Sequence, residues 1–512
     1  MNPVELNIFA SRLNAVCDEM GAVLQRTAFS PNIKDRLDFS CAVFDSNGEL
    51  CAQAAHIPVH LGSMAYAMHD IVSQFDWRKG DMLILNDPYL GGTHLPDVTL
   101  IAPVFSNSQL AGFVANRAHH ADIGSDTPGS MPITHSLAEE GMIISPSFLI
   151  KEGKVNNELK NKITGAVRNS HIGEGDFTAQ ISANHCGVVR LENLIGTSGL
   201  KNYQSGLVLL NEYAERLALS ALEQIPDGCY VFSDVMDDDG LGNTDINITC
   251  RIEMDNGKVH VDFTGTAEQT SGNINCPLSV TAAGVYYAFR CLMPEQTPAC
   301  AGSFRHITLQ APKGCLINAS YPSAVAAGNV ETSTRIVDAV LGALAQAVPE
   351  KIPAASHGSM NNLAMGSDDV EQPWDYYETI GGGMGASKNT DGLSAVQTHM
   401  TNTLNTPIES LEMHYPLRIK RYAIRDNSGG NGKHRGGNGL VREFEFLQPA
   451  NVTLLTERRT NAPWGLAGGE NGRQGVNKRG GKLLSGKTSI RVEKGESLTI
   501  ETPGGGGWGK SD

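Results

Sequence analysis

No apolar run in this chain approaches the ~18 residues that a membrane-spanning helix needs. The nearest, residues 336–348, is interrupted by Asp338 and Gln346 and reads as a buried helix. The beginning carries Glu5 and has neither a basic stretch nor a long apolar one, so it does not read as a secretory signal. Positive charge is scarce: 40 Lys and Arg stand against 55 Asp and Glu, a formal net charge of −15. That balance argues against nucleic acid or an anionic membrane as a partner. The 10 cysteines include no Cys-x-x-Cys pair. Scattered through apolar patterns in a long chain, they read as buried free thiols rather than a disulfide framework, and the expected location is cytoplasmic. No G-x-S-x-G elbow occurs, and no cysteine sits in a recognisable Cys/His context, so covalent nucleophilic catalysis lacks a motif.

What is present points to a large α+β protein. A length of 512 residues predicts two or three domains. Gly accounts for 56 residues, about 11% against a usual ~7%, and concentrates towards the end without a period. Asn2-Pro3 followed by Leu6, Phe9, Leu13, Val16, Met20 and Val23 predicts a long amphipathic helix. Alternation around Ser46-Asn47-Gly48 predicts a hairpin that brings Asp38 near Ile57 and His56. Helices are expected over 63–75, 174–194, 206–224, 280–293 and 331–348. Strands are expected over 229–236, 245–254, 258–265, 440–446, 451–456, 489–492 and 497–501. The expected division is a helix-and-hairpin metal-site domain over 1–225, a β-rich middle domain with helices over 226–424, and a Gly-rich β module over 425–512. Ile225-Pro226-Asp227-Gly228 supplies the first boundary signal.

Residues 81–126 concentrate the chemistry. They contain His94, Asp97, His119, His120 and Asp122 in a strand–loop–strand–turn–strand pattern. With Asn107-Ser108 as the turn, strands over 98–105 and 110–118 pair so that Pro96 faces His119 and Asp97 faces Ala118. Cross-strand neighbours lie about 5 Å apart, so His119 and Asp97 fall within reach of one ion, with His94 in the loop just upstream. Two imidazoles and a carboxylate at one strand mouth are the donor set of an open catalytic metal site. The plain alternative is a group of hydrogen-bonded histidines at strand ends, and a one-residue slip would turn His120 inward instead. Regular alternation sends His119 and His120 to opposite faces. Asp38, His56 and His60 form a second polar cluster, with Asp38 a candidate fourth ligand and His60 a candidate proton carrier.

NDPYLGGTHLPDV followed by ANRAHHADIG resembles the signature of the hydantoinase B/5-oxoprolinase family. The resemblance continues through GNINCPLSVTAAGVYYAFR, GNVETSTRIVDAVLGALAQA, YYETIGGGMGAS, RYAIRDNSGGNGKHRGGNGLVRE and TPGGGGWG. It implies the B-type subunit of an ATP-dependent hydrolase of cyclic amides (hydantoins, 5-oxoproline or lactams), with a related ketone carboxylase as the neighbouring activity. It also implies a divalent metal held by His94, Asp97 and His119; two imidazoles with one or two carboxylates suit Zn, Mn or Fe. ATP would be consumed by a hydantoinase A-like partner, with an α2β2 heterotetramer as the expected assembly. His60, His120 and Asp122 are the residues assigned to proton transfer. A non-catalytic scaffold subunit and a free-standing metallohydrolase are the remaining readings.

Several other features are ambiguous in sequence. The run Gly381-Gly382-Gly383 invites a phosphate reading, yet it lacks the Gly-Lys-Ser/Thr of a P-loop and reads as a tight backbone passage; no cofactor-binding residue is assigned. Asp237-Asp238-Asp239 does not have the alternate spacing of an EF-hand and reads as a solvated turn. Asp176, Gln180, Asn184 and Gly187 form a polar stripe for which a solvated face is the commoner reading. Glu139 and Glu140 read as solvated loop residues. Arg435, Arg442, Arg458 and Arg459 read as dispersed surface salt bridges, or as a contact for an acidic partner or for a phosphate carried on the substrate.

Overall fold

Asn2 caps the first helix: its side chain accepts from the Glu5 N–H while the Glu5 carboxylate accepts from the Asn2 N–H. The computed structural model describes residues 1–54, 56–367 and 373–511. Helix α1 (Pro3–Thr27) buries Phe9, Leu13, Val16, Met20 and Leu24, the face that its periodicity predicts. The helices α2 (Pro31–Lys34), α3 (Pro58–Val72), α4 (Asn157–Ala166), α5 (Ser170–Ser198) and α6 (Leu200–Leu222) accompany a seven-stranded sheet. Its strands are β1 (Phe39–Asp45), β2 (Leu50–Gln53), β3 (Met82–Leu85), β4 (Asp97–Ser106), β5 (Gln109–His119), β6 (Ser147–Lys151) and β7 (Lys154–Val155). They lie in the order β2-β1-β5-β4-β3-β6-β7. Alternation along β4 sorts its side chains: Val98, Leu100, Ala102 and Val104 share a core with α1 and α5, whereas Ile101 packs with Met64 and Met68 of α3.

The β4–β5 hairpin differs from the expected register by one residue. Asn107 and Ser108 both have positive φ, 47° and 67°, as a tight two-residue turn requires. Ser106 faces Gln109 as expected, but the ladder shifts between Val104 and Phe105, and Asp97 then faces His119 rather than Ala118. A β-bulge near the turn is the physical reason. It moves the two donor residues into direct opposition.

The second sheet, in the order β11-β10-β9-β8, is built from β8 (Gly228–Asp238), β9 (Thr244–Asp255), β10 (Lys258–Asp262) and β11 (Ile307–Gln310). Helices α7 (Leu278–Arg290) and α8 (Ser333–Ala347) share its core, which also takes in Ile57 and Val59 from the start of α3. Where α3 crosses α7, a Cβ at Gly62 would stand 2.6 Å from the Ala283 Cα, so only glycine allows this approach. Strands β12 (Asn362–Ser367), β13 (Trp374–Glu378) and β14 (Leu417–Ile424), with the short α9 (Ile408–His414), precede the C-terminal strands β15 (Leu440–Phe446), β16 (Ala450–Leu455), β17 (Val476–Arg479), β18 (Lys482–Leu484), β19 (Lys487–Val492) and β20 (Ser497–Glu501). These make two sheets, β13-β12-β16-β19 and β14-β15-β20-β17-β18, so strands on both sides of residue 425 pair with one another.

Buried ion pairs tie these sheets together, and they correct the surface reading for Arg442 and Arg458, whereas Arg435 is exposed. Arg458 donates to both Asp234 carboxylate oxygens at 3.2 and 2.7 Å, and to Asp338 at 2.6 Å. Arg335 reaches Asp338 at 3.1 Å and Glu457 at 3.3 Å. Arg442 pairs with Glu378 at 2.7 Å. The polar stripe on α5 is also internal, because Asp176, Gln180, Asn184 and Gly187 are all buried against α1 and the first sheet.

Two outcomes follow from this packing. Gly62→Val is expected to lower stability by about 1–3 kcal/mol, the usual effect of overpacking, read as a fall in the urea midpoint. Arg458→Ala strips Asp234 of its two-bond partner and leaves Asp338 with Arg335, and a loss of about 3–5 kcal/mol is expected by the same measurement.

Candidate metal centre

At the mouth of the β4–β5 hairpin, His94, Asp97 and His119 each offer a ligand atom, and these atoms lie within 4.8 Å of one another. The elements that deliver them are few. Asp97 and His119 end paired strands and face each other across the ladder. His94 precedes β4 in a turn in which the Asp97 N–H donates to the His94 carbonyl at 3.1 Å. All three side chains are buried. His94 Nε2, Asp97 Oδ1 and His119 Nε2 have no hydrogen-bond partner. Buried polar atoms are normally satisfied, so three convergent bare donors with two imidazoles and a carboxylate fit a divalent metal.

The other atoms of the three residues are occupied, which fixes their orientation. His94 Nδ1 lies 3.1 Å from the Ala326 carbonyl, and donation there leaves the Nε2 lone pair free. His119 Nδ1 lies 3.0 Å from the His120 carbonyl, and its ring stacks on Tyr377 at 4.3 Å between centroids. The Asn32 amide is also close to that nitrogen, at 3.2 Å. An Nδ1–H that donates to the carbonyl cannot accept from Asn32, so we assign the carbonyl bond, which keeps Nε2 bare. Asp97 Oδ2 accepts from Thr93 Oγ1 at 2.6 Å and from Asn329 Nδ2 at 3.1 Å.

Burial works against the charge on Asp97, yet His60 and His94 hold its carboxyl well below the usual carboxylate range. Burial likewise opposes protonation of His94, but Asp97 and the Ala326 carbonyl outweigh it and raise its pKa. His119 is held well below the ordinary imidazole value by burial and then by the neighbouring His94.

His60, on α3, stands beside this group, with Nε2 at 3.2 Å from Asp97 Oδ1 but out of hydrogen-bond alignment. Asp38 lies beyond it, with Oδ1 at 4.0 Å from His60 Nε2 and Oδ2 at 3.8 Å from Arg36. Burial raises the Asp38 pKa, against the pull of Arg36 and His60. His120 points to the opposite face of β5, where Nε2 bonds Gln180 at 2.9 Å and the ring stacks on Phe177. Asp122 is tied to Ser130 at 2.6 Å and to Arg168 at 3.1 Å. The structure therefore gathers His94, Asp97, His119 and His60, with Asp38 adjoining, and sets His120 and Asp122 apart.

Sequence reasoning missed the residues that complete this surround. Ala326, Asn329 and Tyr377 are 200 or more positions away in the chain, and no local pattern announces them. Glu140, read as a solvated loop residue, is wholly buried. It accepts from the Val325 and Ala326 N–H groups at 2.8 Å each, and burial pushes its pKa up to about 8. Residues 481–488, GKLLSGKT, match the P-loop pattern G-x-x-x-x-G-K-[ST]. They form β18 and the start of β19, with the Lys487 amine in a buried pair with Glu457 and no helix following, so this is not a phosphate loop. The run Gly381-Gly382-Gly383 threads against the backbone of Pro503, Gly437 and Gly505, a close passage as expected.

Comparison with known proteins gives concordant results. The family model described as Hydantoinase B/oxoprolinase matches residues 2–511. A protein of Methanocaldococcus jannaschii is 42% identical over 99% of this chain and 91% of its own length. The 5-oxoprolinase of Dictyostelium discoideum is 38% identical over 100% of this chain, which spans only 41% of that enzyme. Among solved structures, the ATP-dependent caprolactamase from Pseudomonas jessenii superposes with a TM-score of 0.93 at 28% identity, covering 100% of this chain and 91% of that one.

Metal affinity is expected to fall as pH is lowered, because protons compete for the imidazole lone pairs. The raised pKa of His94 keeps its proton bound to a higher pH, so the decline should begin above the ~6.5 of a free imidazole. Chelator competition between about pH 8 and about pH 5 measures this. His94→Ala should abolish stoichiometric binding at every pH.

Proposed function

The chain belongs to the hydantoinase B/oxoprolinase family, and from that premise we propose that it is the metal-dependent hydrolytic subunit of a two-component, ATP-dependent cyclic-amide hydrolase. Its substrate is a hydantoin, 5-oxoproline or another lactam, activated with ATP by a hydantoinase A-like partner in an α2β2 assembly. The observation that carries the reading is the convergence of His94, Asp97 and His119, whose ligand atoms lie within 4.8 Å of one another while His94 Nε2, Asp97 Oδ1 and His119 Nε2 receive no hydrogen bond. The names of the relatives support the substrate class, since 5-oxoproline and caprolactam are both cyclic amides. The partner is supported by length: the greater part of the 5-oxoprolinase lies outside the region this chain matches.

The chemistry assigns each residue a task. An unactivated amide carbonyl is a poor electrophile, and phosphorylating its oxygen turns that oxygen into a leaving group. His94, Asp97 and His119 would hold Zn, Mn or Fe, and Asp38 would be the fourth ligand. When bound, the ion supplies a Lewis acid that makes water a usable nucleophile near neutral pH. His60 Nε2, between Asp97 at 3.2 Å and Asp38 at 4.0 Å, takes the proton that the attacking water loses. The proton is then available to the ring nitrogen as the C–N bond opens to leave an acyl phosphate, which a second water cleaves to the carboxylate and inorganic phosphate. His120 and Asp122, held by Gln180 and Arg168, keep the hairpin and its neighbouring loop in place.

The test is ADP release and ring opening by this chain reconstituted with an A-type partner, over a panel of lactams, hydantoins and ketones with and without bicarbonate. Turnover of a cyclic amide without bicarbonate, lost in His94→Ala, is the expected result. Turnover confined to a ketone with bicarbonate would move the assignment to a carboxylase. Full activity in His94→Ala would reduce the chain to a scaffold.

A further inference from the structure

The segment that leads into α8 is unusual in its hydrogen bonding, and it ends at the metal centre. Gly328–Thr332 forms a π-helical turn, a rare wide turn that is frequent at functional sites. The turn is pinned from outside: the Ala327 and Gly328 N–H groups donate to the Asn273 carbonyl at 2.9 and 3.1 Å. Ser333 Oγ donates to the Asn329 carbonyl at 2.6 Å. The Asn329 side chain is buried, at 3% exposure, and its Nδ2 reaches Asp97 Oδ2 at 3.1 Å.

That contact completes a division of labour within one carboxylate. Asp97 Oδ2 receives Thr93 Oγ1 at 2.6 Å as well as Asn329 and stands 3.3 Å from His94 Nε2, whereas Oδ1, 3.2 Å from His60 Nε2, receives no hydrogen bond. A carboxylate oxygen that already accepts two hydrogen bonds is a weak metal donor, and its partner oxygen becomes the ligand. Resting on the metal-site reading above, we propose that Asn329 is a positioning residue of the metal centre. Together with Thr93 it restricts Asp97 to ligation through Oδ1 alone and so keeps a coordination position open. Its own Oδ1 is a buried acceptor without a donor.

The experiment uses Co(II) as the probe on the full chain, with affinity from chelator competition and coordination number from the visible absorption bands. Asn329→Leu removes the donor at nearly constant volume. Asn329→Ser, whose hydroxyl is too short to span the gap, covers the case in which Leu disrupts folding. Each is expected to weaken Co(II) binding about 10–100-fold, the usual effect of losing an outer-shell partner. Each should also weaken the absorption bands as Asp97 becomes free to bind through both oxygens. A merely structural role would leave the spectrum of the folded variant unchanged, and wild-type affinity and spectrum in either folded variant overturn the proposal. Failure of the wild type to bind Co(II) would instead overturn the metal-site reading, and this inference with it.

Discussion

Three buried acceptor atoms left without a donor in one small group of side chains form an arrangement that a protein does not reach by default. Each buried polar atom without a partner costs about 1–3 kcal/mol, and side chains ordinarily rotate to avoid it. Here rotation is blocked at each residue. The Ala326 and His120 carbonyls anchor the two imidazoles through their far nitrogens, and Thr93 and Asn329 anchor the carboxylate through its far oxygen. The bare atoms are thus a consequence of how the other atoms are satisfied. Glu140 extends the same logic outward, since its carboxyl fixes the Val325 and Ala326 amides that set the Ala326 carbonyl in place.

Because those anchors come from distant parts of the chain, the centre depends on how the sheets are joined. Arg36 links them most directly: it donates to the Tyr377 carbonyl at 3.0 Å and to Thr379 at 3.2 Å while lying 3.8 Å from Asp38. Its guanidinium also sits 4.7 Å from the Tyr377 ring centre, and His119 stacks on that same ring. Arg458, Arg335 and Lys487, paired with Asp234, Asp338 and Glu457, lock the C-terminal sheets onto β8 and α8 in turn. Buried charges of this kind favour one arrangement over its near neighbours more than they add net stability, because any shift leaves an uncompensated charge.

Local pattern carried much of this into the sequence. The cap and face of α1, the two N-terminal hairpins, the middle strands β8, β9 and β10 and the C-terminal strands β15, β16, β19 and β20 follow from periodicity and turn residues. The pairing of Asp97 with His119 was legible only to within one residue, because a bulge between Val104 and Phe105 has no turn signal of its own. The stripe on α5 was ambiguous for a different reason: polar residues on a helix face look alike whether they meet water or other buried polar groups. GKLLSGKT shows the opposite hazard, a complete motif without its structural context. Ala326, Asn329 and Tyr377 were beyond reach, since only tertiary structure brings them to His94, Asp97 and His119.

The α5 stripe also explains why one strand end carries adjacent histidines with unlike surroundings. Gln180 bonds His120, the Val98 carbonyl and Asn116, all at 2.9 Å, and Asn184 accepts from Asn116 at 2.8 Å. This ladder grips β4 one residue after Asp97 and β5 one residue after His119. A helix held only by apolar contact could slide along the sheet at modest cost, but sliding here would strip several buried hydrogen bonds at once. His120 therefore serves the centre from behind, by fixing where the strand ends. Alternation along that strand then turns His119 towards His94 and Asp97, so one sequence pair supplies both a ligand atom and the means of holding it still.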